Sequence, residues 1–328
     1  MKKAIFLDRD GTLNVDSGYV YKVEDFLLHD GVIEGLQKLK GFLFFIVTNQ
    51  SGIGRGFYSE EDMHKFNSRL ILELKKNDIE ISQVYFCPHI PSDSCNCRKP
   101  SSKYILDAKE KFDLNLSLCW VIGDHACDVN FAKNSGCNSV YLLTGHGVKH
   151  LEEAKLVCPD YVAADMTQAA DFINFKDYNK IISRDKLTGL INEIKKTKKR
   201  IVTLNGTFDI LHNGHEKILL EARAQGDVLI VGLNSDSSVK SNKGPKRPLN
   251  NEFARAKMLA RYNFVDYVTI FNEKTPIDLL EIIKPDIHVN GSEYGENCIE
   301  AETVIKNGGK IHVVNLLSGY STTSLISG

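Results

Sequence analysis

Short apolar runs alternate with amphipathic helical stretches twice along the chain, and this alternation constrains the fold more than any other feature. In the first half the apolar runs occupy residues 4–7, 42–48, 119–123 and 139–143. In the second half they occupy residues 200–204, 227–233, 267–271, 286–289 and 310–316, with a helical stretch such as 216–224 between runs. Strands separated by helices in this way predict a mainly parallel sheet with helices on both faces. The sequence therefore predicts an α/β fold of two Rossmann-like units.

The chain of 328 residues is long enough for two domains of ordinary size. Between the two halves, apolar residues recur at the spacing of one helical face from position 187 to 194. The sequence therefore predicts a first domain over residues 1–177, a linker helix within 178–198, and a second domain over 199–328.

Composition limits the classes of partner. The net charge is -1, with 42% hydrophobic and 25% charged residues, so no excess of positive charge favours nucleic acid or an anionic membrane. The first apolar run is too short for a signal peptide, and no run approaches a membrane span. Eight cysteines, three of them between positions 87 and 97, indicate a reducing compartment with a metal site. We expect a cytoplasmic protein that acts on small molecules; the sequence leaves a homo-oligomer open.

Two aspartates follow the first predicted strand directly. Because side chains alternate along a strand, Asp8 and Asp10 point to one side, where their carboxylates repel unless a cation lies between them. Mg²⁺ suits such oxygen ligands, although the pair alone fits a solvated turn equally well. Polar residues also follow the next strands, at 48–51 and 123–128. Open α/β sheets bind ligands at these carboxyl ends, so the sequence favours a site there.

This set of residues resembles the haloacid dehalogenase-type phosphatases over about the first 175 residues. The resemblance implies that Asp8 is the nucleophile, that Asp10 is the general acid and base, and that Thr48 and Lys99 hold the transferred phosphoryl group. It also implies a Mg²⁺ site formed by Asp8, the Asp10 carbonyl, Asp124 and the His125 carbonyl. Only 40 residues separate Asp8 from Thr48. This interval leaves little room for a cap domain, so we expect a capless fold.

A cysteine cluster lies between these motifs. Cys87, His89, Cys95 and Cys97 provide a complete tetrahedral set with no open position, which predicts a structural Zn²⁺. The loop leads directly into Arg98 and Lys99, so zinc would position two cations at the phosphate site. The remaining cysteines are expected to pack in the core, at positions 119, 127, 137, 158 and 298.

The motifs at 8–14, 15–19, 48–56 and 87–100 are similar to those of the D,D-heptose 1,7-bisphosphate 7-phosphatase family, and histidinol-phosphate phosphatases share the pattern. The resemblance implies a substrate site formed by Asp16, Ser17, Gly18, Tyr19, Asn49, Gln50, Ser51, Arg98 and Lys99. The chain departs from the heptose enzymes at His125, where they carry lysine.

A histidine pair follows the first strand of the second half. The glycines around it permit close approach of backbone to phosphate, and the start of the following helix favours an anion. His212 and His215 can donate hydrogen bonds to a triphosphate and to the charge that develops as pyrophosphate leaves. This H-x-G-H pattern resembles the nucleotidyltransferase superfamily over about residues 180–327.

Within that superfamily, the chain is most similar to the adenylyltransferase domain of bifunctional heptose enzymes. The resemblance implies nucleotide binding by Asn205, Gly206, Thr207, Phe208, Asp209, His212, His215, Asn234, Asp236, Lys243, Arg247, Ser321, Thr322 and Thr323. Lys243 or Arg247 would lie over the triphosphate; either can instead face solvent. The chain departs from its relatives at Asn290, where they carry lysine.

Together the two resemblances predict consecutive reactions, with Mg²⁺, Zn²⁺ and ATP as cofactors and co-substrate. The phosphatase would remove the 7-phosphate of D-glycero-D-manno-heptose 1,7-bisphosphate. The adenylyltransferase would then join heptose 1-phosphate to AMP, giving ADP-heptose for lipopolysaccharide biosynthesis, and pyrophosphate. The alternative is a histidinol-phosphate or other sugar phosphatase fused to a cytidylyltransferase that acts on a polyol or sugar phosphate.

Overall fold

The computed structural model of the protein describes residues 1–175 and 178–315. The chain divides into two compact units, Met1–Asn174 and Phe175–Gly328. Within the described residues, no helix combines the length and the apolar character needed to cross a bilayer.

A six-stranded parallel sheet forms the centre of the first unit. Its strands are β1 (Ala4–Leu7), β2 (Leu43–Asn49), β3 (Ile81–Cys87), β4 (Trp120–Gly123), β5 (Asn138–Leu142) and β6 (Tyr161–Ala163). Their order is β3-β2-β1-β4-β5-β6. Every residue of β1 is buried, as expected for a central strand covered on both faces. The sequence does not predict β3, because polar residues interrupt its apolar ones, nor β6, which is only three residues long.

Helices cover both faces of this sheet. They are α1 (Val32–Lys38), α2 (Ser51–Gly54), α3 (Glu60–Lys76), α4 (Lys103–Phe112), α5 (Ala126–Ser135), α6 (Leu151–Leu156) and α7 (Met166–Asn174). The longest, α3, begins with a capping box in which the Ser59 hydroxyl accepts from the Asp62 amide and the Asp62 carboxylate accepts from the Ser59 amide. Its apolar residues recur every three or four positions, so one face is buried.

The second unit contains a five-stranded parallel sheet. Its strands are β7 (Ile201–Gly206), β8 (Val228–Asn234), β9 (Tyr267–Phe271), β10 (Ile287–Gly291) and β11 (Lys310–Val314), in the order β11-β10-β7-β8-β9. Its helices are α8 (Arg184–Lys196), α9 (Asn213–Arg223), α10 (Asp236–Lys243), α11 (Glu252–Ala260), α12 (Ile277–Ile283) and α13 (Ala301–Lys306). The predicted α/β class with two parallel sheets is confirmed.

Helix α8, which lies in the segment expected to link the halves, packs against the second sheet. Leu187, Ile191 and Ile194 on one of its faces are buried in a cluster with Ile201 of β7 and Val228 of β8. This face therefore contributes to the core of the second unit.

Each sheet has one place where the strand order reverses beside its first strand. In the first unit β1 lies between β2 and β4, and in the second unit β7 lies between β10 and β8. The carboxyl ends of such strands open a crevice in which α/β proteins bind ligands. The predicted site residues Asp8 and Asn205 lie at these two places.

Candidate active sites

Asp8 lies directly after β1 and contacts a buried lysine. Lys99 Nζ is 2.6 Å from Asp8 Oδ1 and 2.6 Å from Asp128 Oδ1, and Lys99 is only 4% exposed. Burial raises the pKa of Asp8 to about 7, against the opposing effect of the Lys99 ammonium. Burial disfavours the charge on Lys99 as well, but Asp128 and Asp8 raise its pKa above the usual range. The charged forms of these three groups thus depend on one another.

A buried arginine holds Asp10. Arg9 donates from Nε and Nη2 to the Asp10 carboxylate at 2.9 and 2.8 Å, and also to Asn67 and Gln50. Asp10 accepts a further hydrogen bond from Gln50 Nε2 at 2.8 Å. The sequence alone does not indicate a role for Arg9. The available signal is a charged residue between two aspartates directly after a buried strand, because a buried arginine needs acceptors such as these carboxylates.

A cavity of about 370 Å³ opens above these residues. Of the residues predicted for catalysis and substrate binding here, Asp8, Asp10, Asp16, Gly18, Tyr19, Thr48, Asn49, Gln50, Ser51, Arg98 and Lys99 line it. Ser17 is not among the lining residues. Tyr58, Cys127 and His146 line the cavity without having been predicted. The expectation that Cys127 packs in the core is therefore wrong: its position at the start of α5 places it at the cavity.

Asp124 is fully buried at the end of β4, and two loops close around it. The His146 amide donates to Asp124 Oδ2 at 2.8 Å, and the Thr12 hydroxyl donates to Oδ1 at 3.3 Å. Gly11 has a φ of +81°, and a Cβ there would lie 2.2 Å from Asp124 Oδ2. Only glycine, which has no Cβ, allows the backbone to lie this close to the Asp124 carboxylate.

The carboxylates around Asp124 suit a hard divalent cation. Ligand atoms of Asp124, His125 and Asp128 lie within 4.8 Å of one another, and Asp8 is near enough for Asp124 and Asp128 to raise its pKa. These buried carboxylates outnumber the cations near them, and Mg²⁺ prefers oxygen ligands of this kind. The Asp10 carboxylate is held by Arg9 and Gln50, so Asp10 would contribute through its carbonyl, as the resemblance implies.

The departure at His125 preserves a group that can be positively charged. A hydrogen bond to Asp124 raises the pKa of His125 to about 9, although burial opposes the charge. Position 125 thus holds a group that can carry a positive charge beside Asp124, as lysine would.

The four predicted zinc ligands lie together. Cys87 Sγ is 3.3 Å from Cys97 Sγ, 3.7 Å from Cys95 Sγ and 3.6 Å from His89 Nδ1, and Cys97 Sγ is 3.3 Å from His89 Nδ1. Zinc–sulfur bonds of about 2.3 Å in a tetrahedron place ligands about 3.8 Å apart, so the set fits Zn²⁺. Cys87 does not belong to the loop of the other ligands, since it ends β3 and is buried.

Other cysteines differ in their surroundings. Cys119 and Cys137 are buried in the core of the first unit, as expected. Cys158 is exposed, so the expectation that it packs in the core is wrong. It follows the short helix α6 with a positive φ of 46°, where the chain turns at the surface.

In the second unit, the two histidines of the H-x-G-H segment stack at the beginning of α9. The ring centroids of His212 and His215 are 3.8 Å apart, and Phe208 packs against His215. Burial lowers the pKa of His212, and burial together with His212 and Lys243 lowers the pKa of His215 to about 3. Both rings are therefore neutral at pH 7. Their Nδ1 atoms are buried without a hydrogen-bond partner among the described residues, as in a site shaped for a ligand.

Asp209, predicted to bind nucleotide, holds a neighbouring segment. Its carboxylate accepts from Arg247 Nη1 at 3.0 Å and from the amides of Leu249 and Asn250. Asp209 and Arg247 are thus paired with each other, and together they position the segment after α10.

A second buried arginine organises this site. Arg255 of α11 is 1% exposed and donates to the Thr207 and Asn250 carbonyls and to Asp236 Oδ1, at 2.6, 2.9 and 2.7 Å. The sequence alone does not identify Arg255. A charge on the apolar face of α11 is the signal, because a buried arginine needs partners of this kind.

Two of the remaining predicted nucleotide residues form hydrogen bonds with neighbouring side chains. Asn234 Nδ2 donates to the Ser238 hydroxyl, and Asn205 Nδ2 donates to Glu300. Lys243 is exposed at the end of α10. Ser321, Thr322 and Thr323 lie outside the described residues.

Two family models match the chain. A cytidylyltransferase-like model matches residues 203–322, and a HAD-hydrolase-like model matches residues 96–169. Among solved structures, the chain is similar to D,D-heptose 1,7-bisphosphate phosphatase from B. bronchiseptica complexed with magnesium and phosphate. The identity is 28%, the TM-score is 0.49, and the match covers 52% of this chain and 97% of that one.

The curated relatives of this chain include bifunctional proteins and a phosphatase. The bifunctional protein HldE of Campylobacter jejuni subsp. doylei is 42% identical over 161 residues, which are 48% of this chain and 34% of the relative. HldE of Pelobacter propionicus is 43% identical over 174 residues, 53% of this chain and 36% of the relative. The chain thus spans about a third of the length of these HldE proteins.

The D-glycero-α-D-manno-heptose-1,7-bisphosphate 7-phosphatase of Campylobacter jejuni serotype O:2 is 43% identical over 143 residues, 43% of this chain and 82% of the relative. With most of that relative matched, the chain belongs to the D-glycero-α-D-manno-heptose-1,7-bisphosphate 7-phosphatase family.

Proposed function

We propose that the chain is a bifunctional enzyme of nucleotide-activated heptose biosynthesis. The first unit hydrolyses the 7-phosphate of D-glycero-D-manno-heptose 1,7-bisphosphate, and the second transfers AMP from ATP to the resulting heptose 1-phosphate. One observation carries the proposal: each of the two sheets has its own set of chemically matched residues where its strand order reverses, around Asp8 and around His215.

In the phosphatase unit, Asp8 attacks phosphorus and the bond to the 7-oxygen of the sugar breaks. Asp10 gives its proton to the departing alkoxide and then takes a proton from water, which attacks the aspartyl-phosphate and releases inorganic phosphate. Lys99 and Thr48 hold the phosphoryl oxygens during both steps. Asp8, Asp124 and the carbonyls of Asp10 and His125 would hold Mg²⁺, with Asp128 supporting this set, and the ion would supply positive charge against the phosphoryl oxygens.

The zinc cluster serves this unit by positioning side chains. Cys97 directly precedes Arg98 and Lys99, and both of these residues line the cavity. A closed set of four ligands leaves no position for substrate, so the metal would be structural. Arg98 donates to the His89 carbonyl at 3.3 Å and lines the cavity, where its charge is available to a phosphate of the substrate.

In the transferase unit, an oxygen of the sugar 1-phosphate attacks the α-phosphorus of ATP, and pyrophosphate leaves in line. The neutral rings of His212 and His215 donate hydrogen bonds to phosphate oxygens as negative charge builds up on the leaving group. No covalent enzyme intermediate is needed. The product proposed for the first unit is the acceptor proposed for the second. The presence of both units in one chain therefore supports both substrate assignments.

The proposal is tested by incubating the purified protein with D-glycero-D-manno-heptose 1,7-bisphosphate, Mg²⁺ and ATP, CTP or GTP in separate reactions. We expect one equivalent of inorganic phosphate in every reaction, and pyrophosphate with ADP-heptose when ATP is present. Reactions with the bisphosphate omitted are the control. Phosphate release from histidinol phosphate but not from the bisphosphate, or nucleotide transfer from CTP but not from ATP, would contradict the proposal.

A further inference from the structure

A buried carboxylate in the crevice of the second unit has no part in the chemistry described above. Glu300, which directly precedes α13, is 6% exposed. Its Oε1 accepts from Asn205 Nδ2 and its Oε2 from Asn290 Nδ2, both at 3.4 Å. Within residues 1–175 and 178–315, no lysine, arginine or histidine forms an ion pair with it. Among these residues, burial opposes a charge on His288, the histidine on which Glu300 acts, so the carboxylate is removed from water without a charged partner.

The hydrogen bonds that Glu300 accepts from Asn205 and Asn290 are long, and Cys298 is its other hydrogen-bonding neighbour. Amide donors at 3.4 Å are longer than the usual 2.7 to 3.2 Å, and a carboxylate can accept about four hydrogen bonds. Asn205 Oδ1 is buried nearby with no donor among the described residues. These oxygens are all acceptors. A buried group of acceptors of this kind fits a ligand that brings its own hydrogen-bond donors.

The position of the three residues points to the nucleotide as that ligand. Asn205 lies on β7 and Asn290 on β10, the neighbouring strands between which the sheet order reverses. The segment that begins at Asn205 continues into the loop that carries His212. A nucleotide whose phosphates lie at the histidine pair would extend its nucleoside across this crevice.

We infer that Glu300 binds the vicinal 2′- and 3′-hydroxyls of the ribose of the nucleoside triphosphate, with Asn205 and Asn290 holding its carboxylate in place. The inference rests on the proposed transferase function, and it applies whichever base the nucleotide carries. Two adjacent hydroxyls present two donors that one carboxylate can accept, a pairing that α/β proteins use for ribose. The sugar acceptor also carries vicinal hydroxyls, so the experiment must separate the two sources.

Glu300→Gln is the informative variant, because it keeps the shape of the side chain and replaces an acceptor oxygen by a donor. Glu302→Gln, on an exposed residue two positions along the chain, is its control. The kcat/KM of nucleotide transfer is measured with ATP, 2′-deoxy-ATP and 3′-deoxy-ATP. We expect the wild type and the control to prefer ATP by about 10- to 100-fold. In Glu300→Gln, kcat/KM for ATP should fall by a similar factor and the preference should shrink to about 3-fold or less.

Two results would overturn the inference. The first is an undiminished preference for ATP in Glu300→Gln. The second is a higher KM for heptose 1-phosphate with unchanged parameters for ATP, which would assign the carboxylate to the sugar acceptor. If Glu300→Gln does not fold, as judged by its thermal unfolding, Asn290→Ala replaces it, with a smaller loss in the same direction expected and an unchanged preference again overturning the inference.

Calorimetric titration of the wild type with ATP and with 2′-deoxy-ATP separates this inference from the proposed function. Tighter binding of ATP supports recognition of the 2′-hydroxyl, and equal binding of the two nucleotides overturns the inference. Failure to bind or turn over any nucleoside triphosphate would instead overturn the transferase function itself.

Discussion

Lys99 Nζ lies 2.6 Å from Asp8 Oδ1, although the two residues are 91 positions apart in the chain. The contact joins the nucleophile at the end of β1 to the loop that follows the cysteine cluster. Because both groups are buried, each one determines whether the other can carry its charge.

Replacing this lysine should disable the first unit alone. We expect Lys99→Met to slow phosphate release by about 10²- to 10³-fold, because the phosphoryl oxygens lose a preorganised cation. Release is followed with the heptose bisphosphate, and nucleotide transfer to heptose 1-phosphate, assayed in the same preparation, should be unchanged. Lys103→Met, which removes an exposed lysine paired with Asp107, is the matched control. Rapid phosphate release by Lys99→Met would contradict the role assigned to the lysine.

Removing one thiolate of the cysteine cluster should remove the metal. Protein purified without chelator should contain about one zinc per chain by elemental analysis, and Cys97→Ser should contain much less. We also expect a loss of phosphate release of at least about 10-fold, because Arg98 and Lys99 follow this residue directly. Cys158→Ser alters an exposed cysteine outside the cluster and should keep its zinc. A wild type without zinc would refute the site.

A buried histidine should make the second unit sensitive to acid. His288 is fully buried beside the Thr203 hydroxyl, and burial lowers its pKa to about 4. Between this value and the ordinary value of 6.5, the unfolded chain binds a proton that the folded chain does not. Stability is therefore retained above pH 6.5 and falls as the pH drops toward 4, by at most about 1.4 kcal/mol per pH unit.

This pH dependence is measured by urea unfolding from pH 7.5 to 4.5. His288→Gln should flatten the dependence, whereas His312→Gln, at a partly exposed position of β11, should retain the slope of the wild type. If the free energy of unfolding depends on pH equally in the wild type and in His288→Gln, burial of His288 does not cause this dependence.

The sequence predicts those features whose residues lie close together along the chain. Asp8 with Asp10, the four zinc ligands, and His212 with His215 each lie within about a dozen positions, so spacing alone indicates their chemistry. The strands that were predicted are continuous apolar runs, because central parallel strands are buried on both faces. Strand β3 is not such a run, and it was missed together with the buried position of Cys87 at its end.

The sequence does not reveal the groups whose partners are brought together only by the tertiary structure. Arg9, Arg255 and Glu300 are polar residues whose partners lie far along the chain, and their burial is a result of the fold. A charged residue in an amphipathic pattern is read as facing solvent unless its partners are known. His146 reaches the first cavity for a similar reason: its loop packs on Asp124, 22 residues earlier.

The measurement that tests the account most directly separates the two half-reactions in two single variants. Asp8→Asn and His215→Ala are each assayed for phosphate release from the heptose bisphosphate and for nucleotide transfer to heptose 1-phosphate. We expect Asp8→Asn to lose phosphate release and keep transfer, and His215→Ala to keep release and lose transfer by at least about 10²-fold. A variant that retains the half-reaction assigned to its own site would contradict the account of two separate active sites in one chain.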